Sequence, residues 1–184
     1  MAFCYNSFMK TSLDGLTLER PVPDRDAPFA LSWFQASYGY DTLRLMGNAE
    51  HEIDTPSLEG EKETIREFLK LEKKGRQITW MLRYEDKTIG AAWIELKKNH
   101  GVVPPSVHIM IGDAPYRGRG IGQAALESMV AYAEQVLEAE AVYSRHLASN
   151  TVIASLGSGL GFVNDGDAYV DSNGLEWQNT MRKI

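Results

Sequence analysis

The sequence has a single cysteine and no long apolar run, and these two features argue against a disulfide-stabilised protein and a membrane-spanning protein. Cys4 is the single cysteine in 184 residues, so no intramolecular disulfide can form, which suits a reducing compartment. A nucleophilic role for Cys4 has little support, because no histidine lies near it in the sequence. No apolar run approaches the ~20 residues that span a bilayer, and the N-terminus does not resemble a signal peptide. We therefore expect a cytoplasmic protein without a membrane partner.

Basic residues are also fewer than acidic residues in this sequence. The chain carries 19 Lys and Arg against 25 Asp and Glu, a net charge of −6. Nucleic-acid binding favours a basic surface, so we expect no nucleic-acid partner. An acidic balance is compatible with a cationic or amine substrate, although many proteins are equally acidic and the charge alone selects no function. A chain of this length can bury a core without a metal, and we expect no metal cofactor.

No repeat, low-complexity tract or linker divides the chain, so we expect a single domain over residues 1–184. Apolar periodicity predicts the order β-α-α-β-β-β-α-β-α-β-β, an α/β (α+β) fold in which helices flank a mixed sheet of about six to seven strands. The stretch 38–60 is predicted as a long loop with at most one helical turn. The predicted strands are 16–20, 77–84, 88–96, 106–111, 141–147, 162–170 and 175–181. The predicted helices begin at an Asp24 or Asp26 cap, around Ile65, at Ile121 (ending near Glu138) and near Asn150.

The segment from Ser106 to Leu147 reads as a strand, a loop, a helix and a strand. A connection of this kind returns the chain in the same direction, so the two strands are predicted to be parallel neighbours with a right-handed crossover. The other strands are linked by hairpins, which makes the predicted sheet mixed.

The loop between that strand and that helix is rich in glycine and arginine. Gly118, Gly120 and Gly122 allow the backbone to approach a ligand without a Cβ in the way. The free amides of the first helical turn and the helix dipole favour an anion there. Arg117 and Arg119 add cationic donors suited to phosphate. The pattern predicts a pyrophosphate-binding cradle.

Three other interpretations of the loop fit less well. A P-loop requires lysine and then serine or threonine, whereas Gln123 and Ala124 follow the last glycine. The dinucleotide fingerprint starts directly at a strand end, whereas roughly eight loop residues intervene here. A plain glycine turn has no need of two arginines leading into an amphipathic helix.

The residues from Arg117 to Gly122 (Arg-Gly-Arg-Gly-Ile-Gly) resemble the Arg/Gln-x-x-Gly-x-Gly/Ala signature of the GNAT acetyltransferases. The segment from Asn150 to Leu160-Gly161-Phe162 is similar to the family's Asn-to-Gly-Phe element, and the element order over residues 16–182 matches as well. The resemblance implies the acyl-CoA N-acyltransferase fold, with acetyl-CoA as co-substrate. It also implies transfer of an acetyl group to the primary amine of a small molecule or a peptide N-terminus.

The same resemblance implies which residues hold the co-substrate. The backbone of the strand before the loop would pair with the pantetheine arm, the loop would contact the pyrophosphate, and the next helix would add polar contacts. Asn150 has the alternative role of a helix N-cap. The residues implied are Ile109, Met110, Ile111, Arg117, Gly118, Arg119, Gly120, Ile121, Gly122, Asn150 and Ser155.

Acetyl transfer needs a neutral amine, yet alkyl amines have a pKa near ~10, so a base must remove a proton. Many family members place a glutamate where this chain has Ser106, which cannot act as a base unaided. His108 lies on the same strand face and is our candidate base, with a packed structural histidine as the alternative. Gly157 occupies the position where many members carry a tyrosine that donates a proton to the departing thiolate. Tyr143 and His146 are weaker candidates for that role.

The acceptor remains open at this stage. Acidic residues could attract a cationic amine or could form a solvated face. Two features favour the branch of the family that acetylates ribosomal-protein N-termini: the loop sequence Tyr-Arg-Gly-Arg-Gly over residues 116–120, and the glycine at position 157 in place of tyrosine. A non-catalytic acyl-CoA sensor on the same fold is the alternative, and a homodimer is an open option. The acidic residues are Glu50, Glu52, Asp54, Asp165 and Asp167, and Trp33, Trp80, Trp93 and Trp177 are expected to be core aromatics.

Overall fold

The structure is a computed structural model that describes residues 8–99 and 101–184, so Cys4 lies outside the described residues. The strands in this part of the chain are β1 (Phe8–Lys10), β2 (Leu16–Glu19), β3 (Gln77–Tyr84), β4 (Lys87–Glu95), β5 (Ser106–Ile111), β6 (Ala141–Leu147), β7 (Val163–Asn164), β8 (Tyr169–Val170) and β9 (Glu176–Lys183). The α-helices are α1 (Pro23–Gln35), α2 (Gly39–Leu45), α3 (Leu58–Lys73), α4 (Ile121–Gln135) and α5 (Thr151–Gly159). Short 3-10 turns cover Glu50–Glu52 and Ala114–Tyr116. Over the same residues, no helix has the length and apolar character needed to cross a bilayer.

The strands form one mixed sheet in the order β1-β2-β3-β4-β5-β6-β9-β7, and β8 also pairs with β9. Every pairing is antiparallel except that of β5 with β6, which is parallel as predicted. The predicted mixed sheet flanked by helices is therefore confirmed, but the described residues hold nine strands rather than six or seven. One reason is that the predicted strand 162–170 is split into β7 and β8, because Gly166 adopts a φ of +82° that interrupts extended backbone.

Helices cover both faces of the sheet, and strand alternation decides which side chains each helix meets. On one face, α4 packs Ala125 and Met129 against a core that includes Val107 and Val142. On the opposite face, α1 packs Trp33 against Met110 and its neighbours. Side chains of β5 therefore point alternately to the face covered by α4 and to the face covered by α1. The candidate site residues on β5 are divided between the two faces in the same way.

The start of α1 differs from the prediction. The helix begins at Pro23 with Val22 as its N-cap, and neither Asp24 nor Asp26 occupies the cap position. Proline suits the first helical position, because the missing amide would have no acceptor there. Asp26 instead lies fully buried in the first turn, where it accepts hydrogen bonds from the Val22 amide (2.7 Å) and the Thr88 hydroxyl (2.8 Å).

The stretch predicted as a loop over 38–60 holds more structure than expected. It contains α2 and one of the 3-10 turns. The N-terminus of α2 lies against α1 so closely that a Cβ on Gly39 would meet the Phe34 carbonyl oxygen at 2.3 Å. A seven-residue helix that begins with glycine gives little periodic signal, which explains the miss. In α4 the prediction ran three residues too far, since the helix ends at Gln135 and Glu138 has a φ of +53°.

Candidate functional site

The parallel strands β5 and β6 separate soon after they meet. Ser106 and Tyr143 form the one register pair between them. The Tyr143 amide donates to the Pro105 carbonyl (3.0 Å), and the Ser144 hydroxyl donates to the Val107 carbonyl (2.8 Å). Beyond Val107 no described strand pairs with this edge of β5, although its other edge continues to pair with β4 as far as Ile111. The divergence leaves a backbone edge that can accept an added strand-like ligand.

A cleft of about 560 Å³ opens where the strands diverge. Its walls come from β5 and parts of β4, β6 and β9, together with the loop before α4, the N-terminal half of α5 and the C-terminal end of α2. Of the residues predicted to bind the co-substrate or act in catalysis, the cleft is lined by His108, Ile109, Met110, Ile111, Arg117, Gly118, Gly120, Gly122 and Asn150.

The loop at one end of the cleft has the open geometry of an anion cradle. Gly118 and Gly120 adopt φ values of +73° and +77°, and a Cβ at either would have no heavy atom within 4 Å. Gly120 is the N-cap of α4, and the Ala124 amide makes the first hydrogen bond to its carbonyl. The amides of residues 121–123 precede that bond and have no acceptor within the helix, and the helix dipole favours negative charge beside them. The arrangement fits a phosphate group.

Two contacts fix the start of this loop against the rest of the fold. A Cβ on Gly112 would lie 2.3 Å from the Trp33 ring, so the chain leaves β5 in direct contact with α1. The next residue, Asp113, forms an ion pair with Lys87, whose Nζ lies 2.6 Å from the carboxylate. That hydrogen bond raises the pKa of Lys87 above its ordinary value. Loop residues held in this way present the cradle in one position.

The two arginines of the loop have different surroundings. The Arg117 guanidinium donates to the Ile111 carbonyl (2.9 Å) and to the Thr42 hydroxyl (2.9 Å), and it lies over the Tyr38 ring. It therefore joins the end of β5 to α2 while also lining the cleft. Arg119 is exposed, lies over the Tyr116 ring and does not line the cleft.

The remaining predicted binding residues are placed differently from one another. Asn150 caps α5 by accepting a hydrogen bond from the Ile153 amide (3.3 Å) and also donates to the Leu45 carbonyl (3.3 Å). Both of its predicted roles are therefore compatible with its position at the cleft. Ser155 is exposed on α5 outside the cleft. The Ile121 side chain is 1% exposed and packs in the core, so its amide is the group that faces the cradle.

His108 lies at the cleft wall in a cluster of polar groups on the α1 face. Its Nε2 is 3.1 Å from the Ser106 hydroxyl and 3.8 Å from Glu95 Oε2. The Ser106 hydroxyl donates to the same carboxylate at 3.4 Å, and Asn99 Nδ2 donates to its other oxygen at 2.9 Å. The Trp93 ring stacks on the imidazole with centroids 5.2 Å apart and planes 15° apart. An imidazole held between a ring and a carboxylate has a fixed orientation, as proton transfer requires.

Ser106 and Glu95 take different parts in this cluster. Ser106 is 1% exposed and does not line the cleft, so it contacts His108 and not the open volume. Glu95 lines the cleft beside His108, although it was not among the predicted site residues. The available signal was an acidic residue ending an apolar strand two positions after Trp93, which places both side chains on one face.

The other candidates for proton transfer and acceptor binding are scattered. Gly157 and His146 line the cleft, whereas Tyr143 does not. Glu50 lines a second opening of about 860 Å³ that shares Leu45 with the cleft. The exposed residues Glu52, Asp54, Asp165 and Asp167 line neither opening.

The sequence model of the acetyltransferase (GNAT) domain matches residues 16–163, which include β5, the cradle and α5. This chain belongs to the GNAT acetyltransferase family. The match covers most of the chain and supports acetyl transfer as its general chemistry. A search of the curated proteins finds no significant match.

Solved GNAT structures share this fold at low sequence identity. The microcin C7 self-immunity acetyltransferase MccE, in complex with acetyl-CoA and AMP, is 13% identical with a TM-score of 0.75, covering 94% of both chains. RimL, a ribosomal L7/L12 alpha-N-protein acetyltransferase, in complex with coenzyme A, is 11% identical with a TM-score of 0.75, covering 95% of this chain and 98% of its own. RimJ of Mycobacterium smegmatis, in complex with a CoA disulfide, is 14% identical with a TM-score of 0.74, covering 91% of this chain and 81% of its own.

Proposed function

We propose that this chain is an acetyl-CoA-dependent N-acetyltransferase that acts as a single domain over residues 1–184. It moves an acetyl group to a primary amine by direct attack while both substrates are bound. The observation that carries the proposal is the unpaired edge of β5, which opens into a cleft with the glycine cradle at its end. Acetyl-CoA supplies the reactive thioester.

The co-substrate would extend along the cleft from the cradle to His108. Amides of residues 121–123, with Gly118 and Gly120 leaving room, would hold the pyrophosphate, and Arg119 would add charge from outside. The backbone of Ile109, Met110 and Ile111 would pair with the amide groups of the pantetheine arm, as an added strand would. Asn150 would contact the arm from α5. Ser155 is exposed outside the cleft, so a contact through its side chain is not part of the proposal.

His108 would accept the proton that the amine must lose. The amine nitrogen forms a bond to the thioester carbon, the bond from that carbon to sulfur breaks, and the nitrogen's proton passes to His108 Nε2, directly or through water. Glu95, 3.8 Å from that nitrogen, would stabilise the imidazolium that forms. The departing thiolate takes a proton from solvent, since Gly157 offers no acidic side chain.

Ser106 would be a positioning residue in this scheme. It is buried, and its hydroxyl lies within hydrogen-bond distance of both His108 and Glu95. It can therefore fix the distance between imidazole and carboxylate without touching substrate. Alignment of amine and thioester in one cleft is itself worth several orders of magnitude, so a modest base suffices.

The acceptor would be a small-molecule amine or a peptide N-terminus. The structural likeness to RimL, a ribosomal L7/L12 alpha-N-protein acetyltransferase, supports a peptide N-terminus as the first class to test. A nucleic-acid or membrane partner is not part of the proposal.

A transfer screen tests the function. The natural chain is incubated with acetyl-CoA and a panel of peptides, amino acids, polyamines and aminoglycosides, and release of the CoA thiol is followed together with the mass of each amine. Amine-dependent thiol release with an acetylated product supports the proposal. Tight acetyl-CoA binding without transfer to any class would instead favour a non-catalytic sensor, as the serine at position 106 and the glycine at 157 would then suggest.

A further inference from the structure

Arg145 is a half-buried cation in the cleft wall whose position is fixed by an aromatic ring. Its guanidinium carbon lies 4.0 Å from the centre of the Trp177 ring. Trp177 is 5% exposed, its indole N–H donates to Asp171 at 2.8 Å, and the backbone at Gly47 lies directly against it. A guanidinium stacked on a buried ring that is itself held by Asp171 and by the backbone at Gly47 has little orientational freedom left to lose on binding a ligand.

The guanidinium of Arg145 keeps its hydrogen-bonding capacity within the part of the chain that the structure describes. Among residues 8–99 and 101–184 it stacks on Trp177 and interacts electrostatically with Asp171, but it makes no hydrogen bond and no ion pair within 4 Å. The Asp171 carboxylate interacts electrostatically with this guanidinium, but its oxygens accept hydrogen bonds from Trp177, Leu175 and Asn173. Five donors on a cleft wall without a protein acceptor are suited to an anionic ligand, which a planar guanidinium can bind through two bonds.

The position of Arg145 separates it from the phosphate cradle. Ser106 pairs with Tyr143, so the alternation of strands places Arg145 on the same face as His108, two residues beyond that pair. This is the α1 face, whereas the cradle begins α4 on the opposite face. The cradle also lies past Ile111, about 10 Å farther along β5 at about 3.3 Å per residue. An anion at Arg145 would therefore belong to the acceptor.

We infer that the acceptor carries a carboxylate or phosphate within a few bonds of its amine, and that Arg145 binds this group while Glu95 and His108 receive the amine. Opposite charges on the two sides of the opening match such an acceptor, since the Glu95 carboxylate attracts the ammonium form and the Arg145 guanidinium attracts the anion. Amino acids, aminoalkyl phosphates and peptides with an acidic first residue fall in this class. The inference rests on the proposed function and deepens it.

Matched probes test the inference by binding rather than by turnover. Each pair differs in one anionic group: β-alanine and propylamine, phosphoethanolamine and ethanolamine, and a short peptide beginning with aspartate and its asparagine form. Calorimetric titration into the protein saturated with CoA gives Kd for each. The anionic member of at least one pair should bind about 10-fold or more tightly than its neutral partner, because a charge-assisted pair adds to its affinity.

Variants assign that preference to one side chain. Arg145→Gln should abolish the difference within the pair and leave the affinity for acetyl-CoA unchanged, whereas Arg66→Gln, a change on the exposed face of α3, should preserve it. Equal binding within every pair, or no binding by any anionic probe, overturns the inference. Weaker acetyl-CoA binding by Arg145→Gln with the preference intact would assign the arginine to a CoA phosphate and also overturn it. Each of these results leaves the proposed function standing if the natural chain binds and transfers from acetyl-CoA.

Discussion

Arg117 Nη2 lies 2.9 Å from the Thr42 hydroxyl, which joins the start of the cradle to α2 across 75 residues of sequence. The same hydroxyl donates to the Tyr38 carbonyl at 2.8 Å, so the bond to Arg117 uses its remaining acceptor capacity. A loop arginine that lines the cleft is thus also bonded to α2, and part of its role is to position the loop.

Thr42→Val keeps the shape of this side chain and removes the hydroxyl. Because the lost bond involves a charged donor, we expect the Kd for acetyl-CoA to rise about 3- to 10-fold as Arg117 and the cradle become less ordered. Isothermal titration calorimetry measures the change. Thr17→Val, which removes a hydroxyl that bonds Glu19 on β2, is the matched control and should bind normally. An unchanged Kd for Thr42→Val would show that the cradle does not depend on this link.

The His108 cluster is tested by two variants of similar size to the natural residues. His108→Gln should lower kcat by about 10²- to 10⁴-fold, the usual contribution of a general base. Glu95→Gln should lower kcat less, by about 10-fold, because the imidazole remains but loses its carboxylate partner. Steady-state kinetics at saturating acetyl-CoA gives both values.

Neither variant should change the Kd for acetyl-CoA, because the proposed contacts of the co-substrate are made by the cradle and by the backbone of β5 rather than by these two side chains. Glu63→Gln, on the exposed surface of α3, controls for the loss of one negative charge. Full kcat in His108→Gln would remove the histidine from the proton path and leave proximity and solvent as the source of the rate.

The parts of the site that lie close together in the sequence could be predicted from it. The strand 106–111, the cradle and the start of α4 follow one another, and their glycines, arginines and apolar period are local signals. His108 was predicted as the candidate base because alternation on a single strand is also a local signal. The family signature needs only six consecutive residues.

The parts that depend on tertiary packing could not be predicted. Glu95 reaches His108 only through the register of β4 against β5, which pairs Glu95 with Ser106. The partner of Arg117 lies in α2, a helix too short to give a periodic pattern. The divergence of β5 from β6 creates the cleft, and neither composition nor periodicity indicates it; only the family resemblance implied an open edge. Trp93 and Trp177, expected as core aromatics, also form parts of the cleft wall.

Asp171 gives the turn before β9 a defined response to acid. The hydrogen bond from the Trp177 indole, followed by one from the Leu175 amide, holds the pKa of Asp171 below its ordinary value of 3.8. A carboxyl with a lowered folded-state pKa stabilises the fold above its unfolded pKa, and this contribution is lost as the pH falls through the folded value. We therefore expect Asp171→Asn to lower Tm at pH 6.

That deficit should shrink as the pH falls below about 3.8, because the carboxyl is protonated first in the unfolded chain and then, at the lowered pKa, in the folded protein as well. Thermal unfolding followed by circular dichroism at a series of pH values measures it. Asp167→Asn, at an exposed residue in the preceding loop, is the matched control for the loss of one negative charge. A deficit for Asp171→Asn that stays constant down to pH 3 would contradict the assignment.

The central claim, that the cradle and the open edge of β5 bind acetyl-CoA, is tested most directly by calorimetric titration of the natural chain and Gly120→Glu. The glutamate would place a side chain and a negative charge in the cradle. Gly75→Glu, at another glycine with positive φ and open space around it, controls for backbone strain outside the cleft. We predict micromolar binding by the natural chain and the control, and none by Gly120→Glu. Failure of the folded natural chain to bind acetyl-CoA or CoA, or equal binding by Gly120→Glu, would contradict the account.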